Sequence, residues 1–183
     1  MITPEDVQAL HRDELAAVAN AVSRRRHEFA TGRSLLRDLL ATANPIPVGP
    51  TRAPTLPQGW VGSLAHDRSV AIAAVCRETA YAALGIDVEP DDPLPSDMAR
   101  IILRDDEFDL DAHLAFVLKE ATYKVWSNAG GRMLEHHEVF LHVDRSIEGP
   151  RFRATVLPER RTLEGRFATV AGKHIALVSI AAA

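Results

Sequence analysis

Leu84-Gly85-Ile86-Asp87-Val88-Glu89 is an apolar run that ends on two carboxylates at alternate positions. It reads as a strand, and residues i and i+2 of a strand point to the same face, so Asp87 and Glu89 stand side by side. Downstream, Phe116-Val117-Leu118-Lys119-Glu120-Ala121-Thr122-Tyr123-Lys124 has helical character. Its Glu120 and Lys124, four apart, share a face of that helix. Brought together, these groups are a candidate site for a hard cation facing a phosphate.

Toward the N-terminus, the segment from Pro4 to Asn20 carries Val7, Leu10, Leu15 and Val18 at helical spacing. A longer helix is predicted from about Arg24 to Leu40, with Phe29, Leu36, Leu39 and Leu40 as its buried stripe. Arg26, Arg33 and Arg37 fall near one another on that helix, and a solvated flank is the ordinary reading of such a run. The stretch from Asn44 to Gly59 is rich in proline and glycine and reads as an extended loop. Val61 to His66 and Val70 to Cys76 read as strands, and their hairpin-like spacing with Leu84 to Glu89 predicts antiparallel pairing of the three. A short helix from Ser96 or Asp97 through Leu103 follows. A long helix then runs from Ala112 to about Asn128, capped by Asp111 and closed at Gly130-Gly131. Strands at 139–143, 152–157, 161–169 and 174–180 complete the order. The pattern predicts two similar α+β halves, residues 1–90 and 91–183, each an antiparallel sheet packed with a long helix. This is a pseudo-dimer in architecture, without a repeat in sequence.

At 183 residues, 46% apolar and 25% charged, the chain is long enough for a full core and has the balance of a soluble globular protein. No apolar run approaches the roughly 20 residues of a membrane span, and the acidic N-terminus lacks the blocks of a signal peptide. The single cysteine, Cys76, excludes a disulfide framework and a multi-cysteine metal site, and its apolar surroundings mark it as packing. These features predict a cytoplasmic protein. A net charge of −4 argues against a general nucleic-acid binder, although Arg24-Arg25-Arg26, Arg33 and Arg37 make the early region locally basic. Lys119, Lys124 and Lys173 are the only lysines. Two of them inside one short motif suggest positions that require lysine.

Several chemistries fail on spacing. His137-Glu138 and His142 give His-Glu-x-x-x-His, where a zinc metalloprotease needs His-Glu-x-x-His. The acidic run from Asp105 to Asp111 lacks the glycine and terminal glutamate of an EF-hand loop. No phosphate-binding P-loop or dinucleotide fingerprint is present, and Gly62-Ser63-Leu64-Ala65-His66 is not a nucleophile elbow. What survives is Asp87, Glu89 and Glu120 around a divalent cation. Oxygen-only ligands favour Mg²⁺, or Mn²⁺, over zinc.

Four stretches then carry a family resemblance that spans nearly the whole chain. They are Arg25-Arg26-His27-Glu28-Phe29-Ala30-Thr31-Gly32-Arg33; Pro57-Gln58-Gly59-Trp60-Val61-Gly62-Ser63-Leu64-Ala65-His66; Gly85-Ile86-Asp87-Val88-Glu89; and Lys119-Glu120-Ala121-Thr122-Tyr123-Lys124-Val125-Trp126, followed by Gly131-Arg132-Met133-Leu134. In this order and at these separations they resemble the 4′-phosphopantetheinyl transferases of the surfactin type, in the branch of enterobactin synthase component D. The resemblance implies transfer of the phosphopantetheine arm of coenzyme A to a serine of an apo acyl, peptidyl or aryl carrier protein, with release of 3′,5′-ADP. It places the enzyme in secondary metabolism, such as siderophore, polyketide or non-ribosomal peptide synthesis.

The resemblance also implies the roles. Asp87, Glu89 and Glu120 hold Mg²⁺ on the pyrophosphate. Glu120 is also the favoured base for the serine proton, directly or through a metal-bound water; Lys124 neutralises the pyrophosphate, and Lys119 assists. Arg26, Arg33 and Arg52 grip the 3′-phosphate, and Ser63 and His66 hydrogen-bond a coenzyme phosphate. The expected partners are coenzyme A and the carrier, with no nucleic acid or membrane, and the protein is expected to be a monomer. Three departures stand out. Ala65 replaces a hydroxyl residue, which predicts one missing phosphate hydrogen bond. Val117-Leu118 and Glu135-His136 replace the usual Ser-Ala and Gly-Phe, which predicts a reshaped carrier or pantetheine surface. Ile101, Ile102 and Leu103 with Arg100 and Arg104 are the candidate carrier-facing patch. The rival reading is a non-catalytic module on the same fold that binds coenzyme A or a carrier protein.

Overall fold

A computed structural model describes residues 1–49, 52–144 and 149–182. After a short 3-10 turn, α1 (Arg12–Ala17) leads into α2 (Ser23–Leu40), and α2 ends where Ala41 adopts a left-handed conformation. Strands β1 (Trp60–His66), β2 (Ala71–Arg77) and β3 (Tyr81–Pro90) follow, then α3 (Ser96–Ile102) and α4 (Ala112–Asn128). The chain closes with β4 (Val139–Asp144), β5 (Arg151–Val156), β6 (Arg161–Val170) and β7 (Lys173–Ala181). Among the described residues, no helix is long and apolar enough to cross a membrane.

The elements match the predicted order, and the fold is α+β with antiparallel sheets. Strand pairing departs from the expectation. β1 and β2 form a two-stranded antiparallel ribbon, whereas β3 joins the five-stranded sheet β3-β7-β6-β5-β4, with Asp87 opposite Ala176 and Glu89 opposite His174. A boundary at residue 90 therefore assigns β3 to one half while its hydrogen bonds lie in the other. The cause is burial on both faces of β3. Ala83 and Gly85 face α4, while Ile86 and Val88 pack with Ala65, Val70, Ile72 and Ala74 of the ribbon and with Ile175 of β7.

The ribbon is sandwiched in turn. Its other face, with Trp60, Leu64, Ala73 and Val75, covers Leu36, Leu40 and Ile46 beneath α2. Leu39, predicted to be buried, is 48% exposed. The largest core lies between α4 and the five-stranded sheet, where Leu114, Leu118, Ala121 and Val125 meet Leu141, Phe152, Ala154 and Val178. Val117 and Leu118 are fully buried in that core, so their replacement of Ser-Ala alters packing and reshapes no surface. Ala65 likewise packs against Ile86 and Val88, away from the cleft wall described below, so it removes no cleft hydrogen bond.

Two glycines set how closely helix meets sheet. A Cβ at Gly32 of α2 would lie 2.6 Å from Leu64 Cδ2, and one at Gly85 of β3 would lie 2.1 Å from the Ala121 carbonyl oxygen of α4. α4 starts where the Asp111 carboxylate accepts the Leu114 N–H at 2.8 Å, and it stops at Gly130, whose φ is +84°. These are an N-cap and a left-handed C-terminal stop.

In the candidate carrier patch, Ile101 is 64% exposed but Ile102 is core at 3%. Arg104 is held by Asp106 and the His137 carbonyl.

Candidate active site

α2, β1 and α4 enclose a cleft of about 700 Å³. α2 supplies Arg25, Glu28, Phe29 and Arg33; β1 supplies Gly62, Ser63, Leu64 and His66; α4 supplies Glu120, Tyr123, Lys124, Ser127 and Asn128. The loop before β1 adds Arg52, and Met133 overhangs from beyond α4. Asn128 ties the walls together: its amide donates to the Leu84 carbonyl at 2.8 Å and to the Gly62 carbonyl at 3.4 Å. Ser63 accepts the Ile86 N–H at 3.1 Å, a further link from β1 to β3. A second concavity of about 560 Å³ lies on the exposed face of the five-stranded sheet, between Tyr81, Arg153 and Arg166, and holds none of the predicted site residues.

The basic helix does not present a uniform cationic flank. Arg33 is 2% exposed; its Nε donates to the Ile46 carbonyl at 2.7 Å and its guanidinium lies 4.2 Å from the Phe29 ring centroid. Burial lowers its pKa to about 10, with Arg25 and Arg37 pushing the same way and Glu14 opposing. Arg37 is spent on a buried ion pair with Glu14 at 2.9 Å. Arg26 donates to the Val18 and Ala19 carbonyls at the end of α1 and does not line the cleft. Arg25, not among the expected phosphate-gripping residues, stands on the cleft wall instead, with one guanidinium nitrogen 2.6 Å from His66 Nε2. The triple-arginine run did signal a cation here; only the helical phase, once the buried face is known, selects which arginine turns inward.

On α4, the two lysines part company. Lys124 faces the cleft, donating to the Asp87 carboxylate at 2.7 Å and to the Ile86 carbonyl at 3.1 Å. Lys119 is 1% exposed and points into the core, donating to Glu107 at 2.6 Å and to the Ile102 and His136 carbonyls. All three of its protons are committed. The assisting role expected of it has no geometric basis, because five positions along a helix rotate a side chain to another face.

The carboxylates are electrostatically linked. Burial and the Asp87 charge both raise the pKa of Glu89 and of Glu120, while Lys124 pulls each down. Asp87 itself is raised by burial against the pull of Lys124. Its Oδ2 is buried without a hydrogen-bond partner among the described residues. In the same set, no three His, Cys, Asp or Glu side chains form a ready-made metal cage; Lys124 sits on Asp87 instead. The donor chemistry still fits a hard divalent cation: oxygen-only ligands, one unpartnered buried oxygen, and mutual repulsion that a cation relieves. Opposite, burial pushes the His66 imidazole below its usual pKa range, opposed by Glu28 and reinforced by Arg25 and Lys124. A cleft lined by arginines, a lysine, a histidine and the glutamates Glu28 and Glu120 can bind a polyanion beside a proton acceptor.

Known proteins resemble this chain along most of its length. Residues 13–76, which include α2, β1 and the loop between them, match the model of the 4′-phosphopantetheinyl transferase N-terminal domain. The chain is 35% identical to the 4′-phosphopantetheinyl transferase Svp of Streptomyces mobaraensis, over 98% of this chain and 82% of the relative. It is 35% identical to Npt of Nocardia iowensis over 79% of this chain and 70% of the relative. It is 32% identical to PptT of Mycobacterium tuberculosis over 84% and 74%, respectively. Likeness at this level, running through both the basic helix and the lysine-glutamate helix, shows that the chain belongs to the 4′-phosphopantetheinyl transferase family.

Proposed function

We propose that this transferase moves the 4′-phosphopantetheine arm of coenzyme A onto a serine hydroxyl of an apo carrier protein, releasing 3′,5′-ADP, in the cleft between α2, β1 and α4. The observation that carries the reading is the cleft's composition: Arg25, Arg33, Arg52, His66 and Lys124 surround a space into which Glu120 also opens. Residues 1–90 contribute the arginine grip, Ser63 and His66. Residues 91–183 contribute Glu120 and Lys124.

In the reaction, the serine oxygen forms a bond to the pantetheine-side phosphorus. The bond from that phosphorus to the bridging oxygen breaks, and the electron pair leaves on 3′,5′-ADP. Glu120, which opens into the cleft from α4, receives the serine proton. Arg25, Arg33 and Arg52 hold phosphates of the donor, and planar guanidinium groups suit that task. Lys124, which donates to Asp87 and lines the cleft, neutralises the pyrophosphate. Asp87, Glu89 and Glu120 would hold Mg²⁺, or Mn²⁺ in its place, and the bound ion neutralises charge on the pyrophosphate. The carrier serves secondary metabolism.

The test is direct. The protein is incubated with coenzyme A, Mg²⁺ and a panel of apo acyl, peptidyl and aryl carriers, and the carriers are weighed by mass spectrometry. A mass gain of one phosphopantetheine arm is expected on at least one carrier. No gain on any of them, with coenzyme A binding intact, would support a non-catalytic binding module instead.

A further inference from the structure

Glu28 is out of place for a cleft that takes a polyanion. It is 6% exposed and lies on the cleft wall, where its charge repels any phosphate bound nearby. Its surroundings give it a different task. Oε1 is 3.3 Å from Arg24 Nε, while Oε2 is 3.5 Å from the Arg25 guanidinium and 3.7 Å from His66 Nδ1. Arg25 in turn meets His66 Nε2 at 2.6 Å, closing a triangle that ties α2 to β1. A guanidinium only donates, so Nε2 accepts, and the single proton of the neutral ring sits on Nδ1, toward Glu28. The Arg25 side chain is 43% exposed; without an anchor it gains rotamer freedom that a bound phosphate must take away again.

We propose that Glu28 is a positioning residue, holding Arg25 and the Nδ1–H form of His66 on the cleft wall as a preformed grip for one phosphate of coenzyme A. The proposal rests on the function set out above, and it reverses the sign expected from simple electrostatics. Removing a negative charge from an anion site should tighten binding; removing an anchor should weaken it.

Glu28→Gln keeps the shape and removes the charge. Kinetics on the full chain should show the KM for coenzyme A rising about tenfold, the size of one lost charge-assisted contact, with kcat at saturating coenzyme A and the carrier KM within about twofold. Calorimetry with 3′,5′-ADP should show the same loss of affinity without turnover. In ¹⁵N NMR of the free protein, His66 should be the Nδ1-protonated tautomer in the wild type and a mixture in Glu28→Gln. Arg25→Ala, on a half-exposed side chain, should perturb the His66 tautomer as well. Unchanged or tighter nucleotide binding in Glu28→Gln, or a His66 spectrum identical in all three proteins, would overturn the proposal. If the wild type loads no carrier, the functional reading fails separately, and the NMR comparison still decides the role of Glu28.

Discussion

Replacing Lys119 by methionine should cost stability and leave the chemistry nearly intact. The Lys119 ammonium is fully buried, as is its partner Glu107, and the pair is 2.6 Å apart. Methionine fills the same volume but leaves Glu107 Oε2 with only the Arg104 N–H at 3.1 Å, while Oε1 keeps the Leu141 N–H at 2.6 Å. An uncompensated buried charge of this kind costs about 3–5 kcal/mol. At roughly 3 °C per kcal/mol for a chain of this size, the melting temperature should fall by about 10–15 °C. Adding Glu107→Gln removes the stranded charge and should recover at least about 1–2 kcal/mol, a coupling read from the double-mutant cycle. Urea denaturation measures the stability. Initial rates of carrier loading, taken well below the transition, measure the chemistry and should change less than about threefold in kcat/KM. An unshifted melting temperature with a rate lowered by about a hundredfold would place Lys119 at the reacting phosphate and refute the reasoning.

Three further outcomes follow from the packing. Gly85→Ala drives a methyl into the backbone of α4 at Ala121 and Val125; overpacking of about 1–3 kcal/mol is expected, with carrier loading falling more than stability alone explains because Glu120 and Lys124 ride on that helix. A crystal structure with α4 unmoved would contradict this. Glu14→Ala strips the buried partner of Arg37 and the acceptor for the Ile46 N–H, so chemical denaturation should report a loss of about 3 kcal/mol. Because the Ile46 carbonyl also holds Arg33, the KM for coenzyme A should rise too; an unchanged KM would separate the two residues. The third outcome concerns acid stability. Burial works to raise the Asp67 carboxyl, but Lys173 and the Ser69 and Val70 N–H groups outweigh it and hold the pKa at about 2. A folded pKa below the unfolded one adds stability that is complete above the unfolded value and lost as pH falls through the folded one. About 2 kcal/mol should therefore disappear between about pH 4 and about pH 2, and Asp67→Asn should flatten that part of the urea midpoint curve. An identical curve in the variant would refute the assignment.

The α+β class, the element order and most helix and strand spans were legible because they depend on local periodicity. α2 and α4 repeat apolar residues at helical spacing, and Asp111 and Gly130 mark the ends of α4 with ordinary cap chemistry. The pairing of β3 was not legible. Its apolar residues serve two cores at once, and nothing within the run says whether β2 or β7 takes its hydrogen bonds. Nor was the sorting of basic residues. Arg25, Arg26, Arg33, Arg37, Lys119 and Lys124 are alike in a sequence. Helical phase and the position of the sheet send Arg37 and Lys119 into buried ion pairs, Arg26 to the end of α1, and the other three to the cleft.

By itself, the sequence determined which chemical groups this protein possesses: carboxylates at alternate strand positions, a glutamate and a lysine one helical turn apart, and an arginine-rich helix. Those follow from residue identity and backbone period. The tertiary structure decided which of them meet. A cation in a folded chain is either a ligand grip or half of a buried pair, and the choice depends on how far it is desolvated and on what lies across from it. Asp87, Glu89 and Glu120 therefore keep the roles assigned to them as proposals, Lys119 moves to the core, and Arg25 with Glu28 enters the site.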